Sequence, residues 1–342
     1  MKSVGIDLHK HSITVCVWNP DGPSRIQRFL CANVPAIRLF FASLGPFQAS
    51  IEATASYHWL FELLEPMAEH VVLAHPKRMR IIADSRNKSD HVDARVLAEF
   101  LAIGWTPQAY RPTPRQRQHR TLVRHRQSLI REQTLIRNKI RHIASDYNAD
   151  RRDLFSKRGL AYLATIPLNQ VERFAVEQLL ALLHQLHEQL LALKRKTREF
   201  AAAASAREAR HREVLRSIPG VGEVTSEAVI AELGDVARFR SAKQVVKFAG
   251  LSPGRRESDG KGYDLSISKQ GSGLLRWVSV EAAWQLVRRS PHWREIYNAL
   301  ARRRGTRRAI VAIARRLLGV MVAILRSEQN YREPPTRPRA VA

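Results

Sequence analysis

The sequence predicts an α/β plus α protein, with an N-terminal α/β domain, a helical coiled-coil connector and a mainly helical C-terminal domain. Three observations lead to this prediction. Short apolar runs with strand character alternate with helical stretches over the first hundred residues. Glycine almost disappears from residues 115–204, where leucine and isoleucine recur at heptad spacings. Glycine and proline turns return among helical segments from residue 212 onward.

The N-terminal part predicts three strands followed by alternating helices and strands. The strands fall at residues 3–8, 12–18 and 25–31, and the turn at residues 20–23 separates the last two. A helix (36–44), a strand (47–52), a helix (57–70), a strand (71–74) and helices to residue 103 follow. This βββαβαβα order matches a ribonuclease H-like fold.

Four carboxylates occupy special positions in this pattern. Asp7 and Glu52 each lie at the end of a short apolar strand, where open sheets place site residues. Asp90 and Asp93 are three residues apart in a helical segment, so both project from one helix face. Because the chain is otherwise basic, we expect these four groups to bind a divalent cation.

Composition restricts the partners of the chain. The 342 residues include 57 Lys and Arg against 31 Asp and Glu, a formal charge of +26, which favours nucleic acid over a small acidic substrate. A merely solvated basic surface is the alternative. Cys16 and Cys31 lie in apolar stretches, as core residues do in a reducing compartment. Neither a signal segment nor a membrane span is expected, because Arg315 and Arg316 interrupt the longest apolar stretch.

Two long helices are predicted for the connector. Leucine and isoleucine repeat every seven residues between 122 and 143, and a second apolar seam runs from Val176 to Leu193. The second seam predicts either self-association or an intramolecular hairpin with the first helix. The first helix also carries many arginines, which predict phosphate binding or a solvated surface; its nucleic-acid-binding candidates are Arg120, Arg124 and Arg131.

The C-terminal part begins with a turn that is typical of a helix-hairpin-helix motif. Gly220 and Gly222 precede a helical segment, and glycines there let backbone N–H groups approach a phosphate. A tight turn that only packs is the alternative. A polar loop with several glycines follows at residues 248–262. The predicted domains are 1–106, 107–205 and 206–333, with a disordered tail at 334–342.

The motifs together resemble the insertion-sequence "one-ten" family of DEDD transposases and the related Piv invertases. The resemblance rests on the four carboxylates and on three later motifs. In order these are Ile218-Pro219-Gly220-Val221-Gly222, Phe248-Ala249-Gly250-Leu251-Ser252-Pro253, and Ser268-Lys269-Gln270-Gly271 followed by Leu275-Arg276. The resemblance covers roughly residues 1–330.

The resemblance implies a RuvC-like ribonuclease H domain whose metal ligands are Asp7, Glu52, Asp90 and Asp93. It also implies a nucleophilic serine in the C-terminal domain, best matched by Ser258, with Ser252, Ser266 and Ser268 as competitors. Two Mg²⁺ ions bound by four carboxylates suit phosphoryl transfer through a covalent phosphoserine bond. The further nucleic-acid-binding candidates are Arg255, Arg256, Lys261, Lys269 and Arg276.

The expected function is therefore that of a DNA transposase or recombinase of a mobile insertion sequence. The implied partners are donor and target DNA, a noncoding bridge RNA that selects the sites, and further copies of the chain in a dimer or tetramer. The implied location is the prokaryotic cytoplasm, at the nucleoid, with no membrane partner. Two alternatives stay open: a Mg²⁺-dependent nuclease or junction resolvase that activates water, and a binding protein whose carboxylates are inert.

Overall fold

The computed structural model describes residues 1–54, 56–82, 90–258 and 261–334. Within these ranges, the side chains of residues 80–82, 90–91, 255–258 and 261–264 are not described. The chain divides into two compact units, Met1–Arg111 and Pro112–Ala342. Each unit contains its own apolar core.

A five-stranded mixed sheet forms the centre of the first unit. Its strands are β1 (Lys2–Leu8), β2 (Ser12–Trp18), β3 (Arg25–Leu30), β4 (Phe47–Glu52) and β5 (His70–Ala74). They lie in the order β3-β2-β1-β4-β5; β2 is antiparallel to both neighbours, whereas β1, β4 and β5 are parallel. The predicted strands and the mixed α/β class are confirmed, and β1 and β2 are buried on both faces of the sheet.

Helices cover both faces of this sheet. They are α1 (Val34–Ala42), α2 (His58–Leu64), α3 (Pro76–Ile82) and α4 (Asp90–Ala102). Ile6 and Ile51 belong to the core on the side of α1 and α2, together with Phe41 and Leu60. Cys16 packs with Ala94 and Ala98 of α4 on the opposite face. Both cysteines are free thiols.

The second unit begins with an antiparallel hairpin of long helices. Its helices are α5 (Pro114–Asp146), the short α6 (Lys157–Thr165) and α7 (Gln170–Ala202). Leu186 and Leu193 of α7 are buried against Leu129 of α5, so the predicted leucine seam packs within the chain. Of the two outcomes predicted for the seam, the structure has the intramolecular hairpin. The seam therefore supplies no argument for self-association.

The rest of the second unit is mainly helical. It contains α8 (Ala206–Arg216), α9 (Glu223–Leu233), a 3₁₀ turn (Val236–Arg238), α10 (Ala242–Phe248), β6 (Pro253–Ser258), β7 (Lys261–Ile267), α11 (Gly273–Arg289), α12 (Pro291–Arg304) and α13 (Thr306–Ser327). The expectation of a loop at residues 248–262 was wrong in part, because β6 and β7 form an antiparallel pair there. No helix within the described ranges is long and apolar enough to span a bilayer. The predicted disordered tail lies outside the described residues from 335 onward.

Candidate active site and nucleic-acid-binding residues

Asp7 is the last but one residue of β1, and Glu52 is the last residue of its parallel neighbour β4, at the same edge of the sheet. Ile6 of β1 lies opposite Ile51 of β4, and each carboxylate is the next residue along its strand. Asp7 is only 4% exposed, and Glu52 is half-buried. Two acidic groups thus lie side by side where parallel strands carry site residues.

The helix that carries Asp90 and Asp93 packs on the sheet face to which Asp7 points. A Cβ atom at Gly5 would lie 2.0 Å from the Ala94 carbonyl oxygen and 2.4 Å from the Ala98 nitrogen, so α4 contacts β1 at this glycine. Residues two apart in a strand share a face, which places Asp7 on the α4 side. Asp93 is exposed, and Asp90 is the first residue of α4; its side chain lies outside the described set.

Two further polar groups surround Asp7. His9 Nε2 lies 2.9 Å from Asp7 Oδ2. Thr14 lies opposite Asp7 on β2, and its fully buried hydroxyl has no hydrogen-bond partner among the described residues. His9 is not among the residues predicted from the sequence; its position in the turn between two paired strands is the signal that could have placed it beside Asp7.

The donor set at this edge fits a hard divalent cation. Mg²⁺ prefers carboxylate and other oxygen ligands, and Asp7, Glu52 and the Thr14 hydroxyl offer them. Among the side chains that the structure describes, no three acidic, His or Cys groups form a complete metal-binding cluster. The predicted set also needs Asp90, whose side chain is not in that group.

Ser258 is the last residue of β6, and its register partner is Lys261 at the start of β7. Residues 259–260 between them are outside the described ranges, as are the side chains of Arg255, Arg256, Ser258 and Lys261. The competing serines lie at the base of the hairpin, where Ser268 N donates to Ser252 O at 2.9 Å. The predicted nucleophile thus occupies the hairpin end remote from these serines.

The arginine candidates of α5 differ in their hydrogen-bond partners. Arg120 donates from Nε to the Ala231 carbonyl at 2.9 Å, at the C-terminal end of α9. Arg124 forms two hydrogen bonds, of 2.7 and 3.0 Å, with the buried carboxylate of Glu232. Arg131 is exposed. Arg120 and Arg124 therefore stabilise the contact between α5 and α9, which leaves Arg131 as the candidate best available to a phosphate.

A buried ionic cluster, which sequence reasoning missed, joins α5, α8 and α9. Arg212 pairs with Glu227 at 2.8 Å and with Glu208 at 2.8 Å, and Arg115 reaches Glu208 at 2.5 Å. His119 Nε2 lies 2.9 Å from Glu227 Oε2. Burial opposes ionisation of Glu227, but His119 and Arg212 outweigh it and hold the pKa of this carboxyl below its ordinary value.

Gly220 and Gly222 have different surroundings. Gly220 has φ +89°, and a Cβ atom there would lie 2.6 Å from Cβ of Gln285 on α11. This close approach explains the glycine by packing. Gly222 is exposed, precedes α9 and provides no side-chain cap, so backbone N–H groups at the start of α9 have no side-chain acceptor from that position.

Lys269 and Arg276 lie on either side of the turn before α11. Arg276 donates from Nη1 to the Ala249 and Lys269 carbonyls, at 3.1 and 3.0 Å. Lys269 is exposed and has φ +53°, which is uncommon for a residue with a side chain. Arg276 thus stabilises this turn, whereas the Lys269 ammonium is exposed to solvent.

Two family models match separate parts of the chain. A family model described as "Transposase IS116/IS110/IS902 family" matches residues 212–298. A second model, for the DEDD transposase domain of IS110 elements, matches residues 4–148. The first match contains Ser258, and the second contains all four predicted metal ligands.

Relatives match the chain over nearly its whole length. The transposase of insertion sequence element IS1111A from Coxiella burnetii is 29% identical over 97% of this chain and 92% of its own length. The transposase of element IS1328 from Yersinia enterocolitica is 27% identical over 82% of each chain. The pilin gene-inverting protein of Moraxella bovis is 23% identical over 96% of this chain and 97% of its own. Both domain matches and these full-length similarities agree, so the chain belongs to the IS110 family of transposases, enzymes that cut and rejoin DNA.

Proposed function

We propose that this chain is the transposase of a mobile insertion sequence and that Asp7, Glu52, Asp90 and Asp93 bind its catalytic Mg²⁺ ions. The observation that carries the proposal is the buried Asp7 at the carboxyl end of β1, beside Glu52 at the end of its parallel neighbour. Strand order and direction in this unit support a RuvC-like ribonuclease H fold for residues 1–106. When bound, a pair of Mg²⁺ ions stabilises both the attacking and the leaving oxygen of a phosphoryl transfer.

The proposed nucleophile is the hydroxyl of Ser258. Its oxygen forms a bond to a DNA phosphorus as it gives up its proton, and the bond from that phosphorus to a deoxyribose oxygen breaks. The released oxygen takes up a proton. Because one phosphoester replaces another, the reverse attack by a new DNA end rejoins the strand without an energy source.

The remaining parts of the proposal concern organisation and partners. Residues 107–205 form a coiled-coil connector, and residues 206–333 form the serine-bearing domain. Donor and target DNA are the substrates, and a noncoding bridge RNA selects the sites. The enzyme acts as a homo-oligomer, a dimer or tetramer, at the nucleoid. Support for nucleic-acid partners comes from the charge of +26.

The carboxylate assignment is tested by replacing Asp7 or Asp90 with Asn. Each change keeps the shape of the side chain but removes a negative ligand, so strand cleavage in Mg²⁺ should be abolished while nucleic-acid binding is largely retained. Wild-type cleavage rates in either variant would reject the assignment. Cleavage by the wild-type chain without Mg²⁺ would reject the metal mechanism. A complete lack of cleavage by the wild-type chain would favour the alternative of a protein that only binds nucleic acid.

The nucleophile is tested by mass spectrometry of the protein–DNA adduct trapped during cleavage. Ser258→Ala should eliminate the adduct, while Ser266→Ala, in the neighbouring strand, should retain it. A phosphodiester on Ser252, Ser266 or Ser268 would relocate the nucleophile. Cleavage without any adduct would support the second candidate, a nuclease or junction resolvase that activates water.

A further inference from the structure

A cavity of 640 Å³ lies in the second unit, between the helical hairpin and the helices of the C-terminal part. Its walls come from α5, α7, α9 and α11, and they include the starts of α9 and α11. A volume of this size is in the range of ligand-binding pockets. The cavity contains neither Ser258 nor any of the four carboxylates.

Most of the surface of the wall is apolar. Leu190 and Leu274 line the interior. Trp277 at the rim is 42% exposed and makes no ring contact with another aromatic or cationic group among the described residues, and Leu191 is 39% exposed. An unstacked indole ring beside a cavity is a large, flat apolar surface on which another planar group can stack.

Cationic side chains surround this apolar surface. Arg126, Arg131 and Lys194 all line the cavity, as does His187. Arg126 is half-buried, yet within the described part of the chain no hydrogen bond or ion pair is made by its guanidinium. Burial lowers the pKa of Arg126, although Glu223 nearby opposes the shift. A guanidinium that is partly removed from water and makes no hydrogen bond or ion pair favours binding of an anion.

Two acidic residues also line the cavity, but each already has a cationic partner elsewhere. Glu223 pairs with Arg198 at 3.2 Å, and Glu227 pairs with Arg212 at 2.8 Å. Their charges are therefore largely balanced. The start of α9 adds N–H groups that no side chain at Gly222 caps, and a helix of 11 residues presents positive partial charge there. The cavity is thus apolar at its wall and attractive to anions at its rim.

We propose that this cavity binds an unpaired nucleotide of a single nucleic-acid strand, whose base stacks on Trp277 while its phosphate pairs with Arg126. Stacking of bases on aromatic rings together with basic phosphate contacts is how proteins bind single strands. A concave site requires an extruded nucleotide, because a duplex keeps its bases stacked inside. The inference rests on the proposed function for the presence of a nucleic acid, and the same chemistry serves a DNA or an RNA strand.

The test is the affinity of the full chain for fluorescein-labelled ten-nucleotide strands of thymidine or uridine, with a ten-base-pair duplex as comparison. Trp277→Ala should weaken single-strand binding by about 5- to 150-fold without changing its salt dependence. Trp277→Phe should retain most of the affinity because it keeps a ring. Arg126→Gln should reduce the slope of log affinity against log salt by about 0.7.

Matched controls are Trp105→Ala, which removes a tryptophan that is 70% exposed in the other unit, and Arg195→Gln, which removes a charge next to Lys194 but outside the cavity. Tighter binding of one strand type identifies the source as DNA or RNA, and equal binding shows that the cavity recognises their shared chemistry. Single-strand affinity of Trp277→Ala equal to that of Trp105→Ala would overturn the proposal.

A different occupant would also be recognised. If Trp277→Ala changes the sedimentation of the chain but leaves strand affinity unchanged, the cavity binds a second copy and the proposal is rejected. If cleavage then still depends on Mg²⁺ and on Asp7, the proposed function stands although the cavity proposal has failed. Failure of the cavity proposal can therefore be distinguished from failure of the proposed function.

Discussion

Gly5 lies at a close approach of β1 and α4. The nearest atoms to a Cβ at this position are backbone atoms of Ala94 and Ala98, which cannot move without shifting the helix. The glycine therefore allows α4, with Asp90 and Asp93, to pack beside the strand that ends near Asp7. One residue without a side chain thus controls the distance between two parts of the candidate site.

We predict that Gly5→Ala lowers the free energy of unfolding by about 1–3 kcal/mol, because the added methyl group overpacks the contact with α4. Strand cleavage should fall more than nucleic-acid binding, since α4 carries two of the proposed ligands. Urea denaturation and a cleavage assay measure the two effects. Gly22→Ala is the control, because its Cβ would meet only the flexible Asn19 side chain at 3.1 Å. Wild-type cleavage by Gly5→Ala would contradict the role given to α4.

Glu227 is the central carboxylate of the buried ionic cluster, and its pKa makes the stability of the fold depend on pH. Its pKa is lowered in the folded state, so its contribution to stability is complete above the ordinary value of 4.5 and is lost as pH falls below it. Glu208, with a pKa lowered by Arg115 and Arg212 against the effect of burial, adds a second contribution of the same sign.

Replacement of Glu227 by Gln should cost about 3–5 kcal/mol at pH 7, because Arg212 and His119 lose a buried anionic partner. The difference from wild type should shrink between about pH 5 and pH 3, because the Glu227 carboxylate takes up a proton in the unfolded chain at a higher pH than in the folded one. Urea denaturation at several pH values measures both effects. Glu223→Gln, at a more exposed ion pair, is the control. A difference that stays constant down to pH 3 would be inconsistent with the lowered pKa.

At the scale of elements, α5 has two functions along its length. Its first turns contact α9 through Arg120 and Arg124, and its later turns pack against α7 through Leu129. The arginines of α5 look alike in sequence, although Arg115, Arg120 and Arg124 have acceptors on α8 and α9 that lie about a hundred residues away. No local sequence pattern distinguishes an arginine that donates hydrogen bonds to a distant helix from one that is available to bind a phosphate.

Arg124→Gln should therefore change stability, whereas Arg131→Gln should change nucleic-acid binding. The first leaves the Glu232 carboxylate, which is 1% exposed, without its ion pair, and we expect a loss of about 1–2 kcal/mol in stability with an unchanged salt slope of binding. The second should leave stability unchanged and lower that slope by about 0.7–0.9. Thermal unfolding and salt-dependent binding measure the two quantities; equal slopes for both variants would contradict this division.

The sequence predicted the elements of the first unit well and those of the second less completely. The strands around Asp7 and Glu52 are short apolar runs, and the glycine turn before residue 25 separates β2 from β3. The hairpin of β6 and β7 was taken for a loop because glycines and charges obscure its alternation. The contact of His9 with Asp7 and the cavity at Trp277 form only when separate elements pack together in the fold. The hydrophobic periodicity of the sequence does not predict such packing.

At the scale of the whole molecule, the two compact units divide the proposed chemistry. The four carboxylates belong to residues 1–111, whereas Ser258, Trp277 and the basic helices belong to residues 112–342. Each unit buries an apolar core of its own, so each has the main requirement for folding alone. The charge of +26 makes binding to a polyanion favourable at low salt, independently of cleavage.

We predict that a fragment of residues 112–342 folds, binds single-stranded nucleic acid with the same dependence on Trp277 as the full chain, and does not cleave DNA. It keeps the cavity and the basic helices but lacks the proposed Mg²⁺ ligands. Circular dichroism, strand binding and a cleavage assay in Mg²⁺ test the three parts, with the full chain carrying Asp7→Asn as the control for loss of ligands alone. DNA cleavage by the isolated fragment would show that the carboxylates near Asp7 are not required, because the chemistry would then reside entirely in the second unit.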